Sequence, residues 1–226
     1  MLFPTAVAWL YFLVLAGGGG QVNPGQQFTY GAGKCVQFAF PVVFLWAFEG
    51  RFPRPGRPRF AGLFLGLAFG LAVAALMFGL YFGALRHSSL LAQTPARVRQ
   101  KLEEFGAGSA LGYVLLGAFL CVAHSLLEEY YWRWFVFGRL RKLLPLAPSL
   151  VLASLAFMAH HVLVLSVFLP GRFLSAALPL SLGIAVGGAV WAWLYERTGS
   201  VWPPWLSHLL VDAAVFVIGW DLVYRT

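Results

Sequence analysis

Ionisable residues inside apolar stretches are the ones in this sequence able to do chemistry. SLLEEYYWRWFVF carries Glu128, Glu129 and Arg133, SLAFMAHHVLVL carries His160 and His161, and WLSHLLVDAAVF carries His208 and Asp212. An Asp or Arg at the centre of a membrane helix costs about 2.5–3.5 kcal/mol on the insertion scale. Such groups are expected to satisfy one another. Glu129 and Arg133 are spaced i,i+4 with the acid on the N-terminal side, so they share a helix face and can pair. His208 and Asp212 have the same spacing, as do His124 and Glu128. Glu128 lies about 100° around the helix from Glu129 and is free to face a different partner. The expectation is one polar site buried in the bilayer, built from Glu128, Glu129, Arg133, His161, His208 and Asp212.

Two chemistries suit that set. A carboxylate facing an imidazole can hold and deprotonate a water, and burial makes a carboxylate a better base. A second histidine with a polar neighbour can donate hydrogen bonds to an oxyanion. Glu, His, His and Asp are equally good ligands for zinc, with Glu128, His161 and His208 as the ligands if a metal is used. Amide hydrolysis is open to either version. A serine mechanism lacks its GxSxG, and no HExxH, GxGxxG or GKS/T supports a zincin, dinucleotide or P-loop reading. Cys35 and Cys121 sit singly in apolar runs with no metal-type spacing and read as small buried hydrophobes.

Helices in lipid must position these groups. The chain is 60% hydrophobic and only 11% charged, against about 25% charged in soluble domains. That leaves too little polar surface for a water-facing shell. The predicted class is all-α, a polytopic transmembrane bundle in one membrane domain, with 1–110 as N-terminal spans and 111–221 as the core that carries the motifs. Apolar runs fall near 2–18, 34–49, 60–85, 110–137, 148–169, 172–195 and 201–221. They predict about seven spans within a range of six to eight, because 17–33 has room for a re-entrant piece. The first run lacks a basic leader region and reads as a retained span.

The net charge of +8 resides largely in the gaps between runs, which suits a membrane surface and argues against nucleic acid. Residues 51–59, with Arg51, Arg54, Arg57 and Arg59, and residues 138–147, with Arg139, Arg141 and Lys142, fall on the same side of the trace. The positive-inside rule makes that side cytoplasmic. Arg86 and residues 95–105 fall on the other side, the latter as an interfacial helix or a plain connector. At 1.5 Å per residue, Glu128, His161 and His208 lie about 14, 20 and 10 Å from the cytoplasmic ends of their helices, so they can meet in the cytoplasmic half. Gly62, Gly66 and Gly70, and likewise Gly183 and Gly187, are spaced for close helix approach.

Glu128-Glu129-x-x-x-Arg133, Phe157-x-x-x-His161 and His208-x-x-x-Asp212, in that order, resemble the three signature motifs of the CPBP family. These are the CAAX-prenyl-protease-2-like (type II, Rce1-like) and bacteriocin-processing intramembrane proteases, also called Abi. The stretch Glu196 to Pro204 before His208 is similar too, and the resemblance covers about residues 112–220. It implies an intramembrane endopeptidase acting on a peptide or protein at the membrane, most simply the cytoplasmic membrane. Glu128 and His161 would activate the attacking water, Glu129 and Arg133 would form a buried frame, and His208 and Asp212 would stabilise the oxyanion or complete the polar shell. The resemblance implies either zinc or a metal-free glutamate mechanism, and leaves both open. Family members often carry Asn where this chain has Asp212, and an ionised Asp cannot donate a hydrogen bond.

Other readings compete with these. His160 is expected to be a packing residue, since its neighbour has the motif spacing. His124 is balanced between supporting the site and filling the core. His87 and Asp221 read as solvated helix ends. Tyr130, Tyr131, Trp132, Trp134 and Phe135 read as lipid or interface packing. A catalytically silent scaffold or immunity-type protein is the first functional rival. A proton- or ion-coupled transporter is the second, since intramembrane Glu, His and Arg also mark such pathways. Nothing in the sequence bears on oligomeric state.

Overall fold

The computed structural model describes residues 1–15, 24–50 and 60–225. The Gly17–Gly20 run and the arginine-rich stretch 51–59 lie outside the described residues. Every regular element among the described residues is a helix. We label the helices α1 (Phe3–Val14), α2 (Pro24–Glu49), α3 (Leu63–Leu85), α4 (Thr94–Glu104), α5 (Ala110–Leu143), α6 (Leu146–Phe168), α7 (Phe173–Thr198) and α8 (Trp202–Arg225). Six of them, α2, α3 and α5 to α8, are long and apolar enough to cross a membrane. α1 has the composition of a span, but its twelve helical residues reach only about 18 Å against a hydrocarbon core of about 30 Å. The count falls within the expected range.

Burial is inverted relative to a soluble protein. Phe48, Phe64, Leu76 and Leu111 are exposed, while Glu129, Arg133, Gln37, Ser125, Ser149, Ser181 and Ser207 are buried. Apolar side chains outside and polar ones inside are stable only where the solvent is hydrocarbon. The protein is an integral multi-pass membrane protein.

Polar contacts close the bundle at both ends. At one end Arg139 on α5 pairs with Glu49 on α2, and Arg141 pairs with Glu196 on α7 at 2.9 Å. At the other, Arg86, just past the end of α3, reaches Asp221 on α8 at 2.9 Å, and Tyr81 donates to the same carboxylate at 2.8 Å. Asp221 is therefore a buried tie between helices, not a solvated end, whereas His87 is exposed as expected. Residues 95–105 form a helix, α4, whose Leu102 packs with Tyr113 and Val223.

Small residues set the closest approach. A Cβ on Gly66 would overlap the carbonyl oxygen of Pro203, and one on Gly70 would lie 3.0 Å from Ser207 Cα. That presses α3 against the start of α8, as the spacing predicts. The second glycine pair behaves differently. Gly183 faces nothing within 4 Å and Gly187 meets only the edge of Trp191, while Gly188 brings α7 to Phe157 on α6 at 3.2 Å. The aromatic run on α5 also departs from expectation. Tyr131, Trp132 and Phe135 are core residues, because that face of α5 points at α6 and α7 and away from lipid.

Candidate active site

α5 carries the two glutamates on a short regular stretch, Ser125–Glu129, held between two wider π-helical segments, Leu120–His124 and Tyr130–Phe137. Such widened turns recur at functional sites, since they re-aim side chains without ending the helix. Here two consecutive glutamates are both buried and meet different surroundings.

Glu129 is tightly held. Its Oε1 lies 3.1 Å from Arg133 Nη1 and accepts from His208 Nδ1 at 2.8 Å. Arg133, almost wholly buried, packs its guanidinium over Phe157 at 4.5 Å and Trp191 at 5.0 Å. The frame expected of Glu129 and Arg133 is thus extended across helices by two aromatic faces. Trp191 also stacks on the His208 ring, 4.3 Å between centroids and 19° between planes, and its indole nitrogen donates to Ser207 at 2.9 Å. His208 is fixed by stacking on one side and by Glu129 at Nδ1, which leaves Nε2 facing Glu128 and Asp212.

Glu128 is loosely surrounded. Its carboxylate lies 3.7 Å from Lys34 Nζ, 3.8 Å from both His124 Nε2 and His160 Nε2, and 3.9 Å from His208 Nε2. All are beyond direct hydrogen-bond length but close enough to share a bound molecule. Asp212 stands 3.6 Å from His208 Nε2 with its side chain 27% exposed, on the outer edge of the cluster. His161 aims differently. Its Nδ1 lies 2.9 Å from the Phe157 carbonyl, so Nδ1 carries the proton there and Nε2 keeps its lone pair.

The predicted residues therefore assemble. Glu128, Glu129, Arg133, His208, Asp212 and His124 are linked by the contacts above. His161 joins through a group in which one donor atom each from Glu128, His160 and His161 lie within 4.8 Å of one another. The group comprises Glu128, His160 and His161, whereas the expected ligands are Glu128, His161 and His208, whose Nε2 lies 3.9 Å from Glu128. His160 does pack, stacking on Trp132 at 5.9 Å and 5°, yet it also borders Glu128. Its ring lies 3.9 Å from that of His161, so both adjacent histidines come close to Glu128. One glutamate and two histidines are a donor set suited to zinc, and His160 Nδ1 is buried without a hydrogen-bond partner among the described residues.

Lys34 is the residue that sequence reasoning missed. By composition the apolar run begins at residue 34, which makes the lysine a boundary residue, whereas α2 begins ten residues earlier at Pro24. A charge inside a helix of that length was the available signal.

Comparison with known proteins is consistent with this geometry. Neither a curated protein nor a solved structure gives a match to the chain. Residues 109–214 match the family model described as type II CAAX prenyl endopeptidase, Rce1-like. The matched segment contains both glutamates, Arg133, His160, His161, His208 and Asp212, and excludes Lys34. Through residues 109–214 the chain is similar to the Rce1-like family.

Proposed function

We propose that the protein is an intramembrane endopeptidase that hydrolyses a peptide bond of a membrane-associated peptide or protein. The observation that carries this reading is the contrast between adjacent glutamates. Glu129 spends its oxygen on Arg133 and His208 at 3.1 and 2.8 Å, while Glu128 keeps its ionisable partners among the described residues at 3.7 to 3.9 Å. A carboxylate that is buried, yet not consumed by a partner, is free to bind and deprotonate a water. His161, with Nδ1–H held by a carbonyl, presents Nε2 as the second acceptor for that water. His208, oriented by Glu129 and Trp191 and flanked by Asp212, completes the polar wall. Zinc, if bound, would sit on Glu128, His160 and His161 and would supply Lewis acidity to a water or carbonyl. The basic end, with Arg139, Arg141 and Lys142, is assigned to the cytoplasm, which puts the site in the cytoplasmic half of the membrane.

The test uses purified protein in lipid and a library of membrane-anchored peptides. Glu128→Gln is expected to lower cleavage by about 10²–10⁴-fold, the usual contribution of a general base, with its unfolding midpoint retained. A folded Glu128→Gln protein that cuts at the parental rate sinks the reading. The same assay after exhaustive chelation separates the two versions. Activity that survives leaves the glutamate mechanism alone, and loss restored by zinc leaves the metal one.

A further inference from the structure

Lys34 reaches Glu128 from α2, outside the segment that matches the family. Its placement is built. Tyr30 and Phe38, one turn before and after it, flank the ammonium at 5.7 and 5.6 Å. A Cβ on the preceding Gly33 would come within 2.6 Å of Val7, so α1 presses on α2 there and fixes its rotation. The side chain is 18% exposed and its nitrogen lies 3.7 Å from Glu128 Oε1. At that length it is not locked in a hydrogen-bonded pair, and its three N–H groups stay available.

Peptide hydrolysis needs such a donor. Glu128 takes a proton from water, the water oxygen bonds to the carbonyl carbon, and the C=O π pair moves onto oxygen as an oxyanion. That oxyanion then re-forms the carbonyl as the C–N bond breaks, and the proton held by Glu128 passes to the leaving nitrogen. Around Glu128 two imidazole N–H groups are already used, and a neutral His124 or His160 offers one N–H on a ring whose other nitrogen accepts. His208 spends Nδ1–H on Glu129, and His161 spends its own on Phe157. Asp212, as a carboxylate, only accepts. Among the described groups within 4 Å of Glu128, Lys34 is the one that only donates.

We infer that Lys34 is a catalytic residue of this protein, donating a hydrogen bond to the oxyanion that forms when Glu128-activated water adds to the substrate carbonyl. The inference rests on the endopeptidase reading.

Its test compares parent, Lys34→Met and Lys34→Arg on the library peptide the parent cuts best. Lys34→Met is expected to lower kcat by about 10²–10³-fold, as removal of one oxyanion donor does, with KM changed by less than a few fold. Lys34→Arg keeps a donor and is expected to recover most of the loss. A phosphonate analogue of the cut bond mimics the tetrahedral oxyanion. Its affinity is expected to fall in Lys34→Met by a factor similar to kcat, while the uncut peptide binds Glu128→Gln and Glu128→Gln/Lys34→Met equally. Unchanged kcat in folded Lys34→Met overturns the inference and leaves the endopeptidase reading intact. Equal losses of affinity for analogue and uncut peptide also overturn it, since they mark a structural role. A folded parent that cuts no peptide overturns both.

Discussion

Residue spacing divides the two glutamates only halfway. The i,i+4 rule pairs Glu129 with Arg133, and the structure adds His208 Nδ1 on the same carboxylate oxygen at 2.8 Å. Removing one member leaves the other charge buried and uncompensated, which costs about 3–5 kcal/mol. Arg133→Met is therefore expected to lower the thermal unfolding midpoint in detergent sharply. Adding Glu129→Gln to it should restore part of that loss, because the stranded charge is removed. If the double variant is less stable than Arg133→Met, the frame reading of this pair is wrong. Glu128, by contrast, is distinguished by looseness, which no spacing rule reports. Its neighbours Lys34 and His160 come from α2 and α6, and their distance from it depends on how those helices pack.

Helix packing decides whether the cluster exists at all. α8 carries His208 and Asp212, and α3 holds the start of α8 through glycines with no room for a methyl group. Gly66→Ala would force the Pro203 backbone to move. It is expected to cost about 1–3 kcal/mol of stability, read from the unfolding midpoint, and to slow peptide cleavage by displacing His208. Gly79→Ala on the same helix faces open space. It should be neutral or stabilising by up to about 1 kcal/mol, the ordinary gain of Ala over Gly in a helix. Equal behaviour of the two variants would show that the α3–α8 contact does not govern the site. The glycine spacing on α3 was legible in the sequence. The π-helical segments of α5 were not, because a wider hydrogen-bond register is selected by tertiary contacts and carries no local signature.

Charged residues cap both ends of the bundle. Arg139, Arg141 and Lys142 lie at one end, and α4, Arg86 and Asp221 at the other. On a background with Cys35 and Cys121 replaced by Ser, Leu143→Cys should react with an impermeant maleimide only from the cytoplasmic side. Ala96→Cys should react only from the opposite side. Reversed labelling would overturn the assignment of the site to the cytoplasmic half. Composition alone determined the solvent and the helical class, because backbone groups in hydrocarbon have no partners outside a helix. Local spacing likewise determined which polar side chains share a face on α5 and α8, since i,i+4 geometry needs no tertiary contact. Only the tertiary structure decided which helices bring their polar faces together. It set Lys34 and His160 beside Glu128 and turned the aromatic run of α5 inward. Each of those outcomes depends on distances between segments remote in the chain, and these are set by glycine contacts, ring stacking and buried ion pairs acting together.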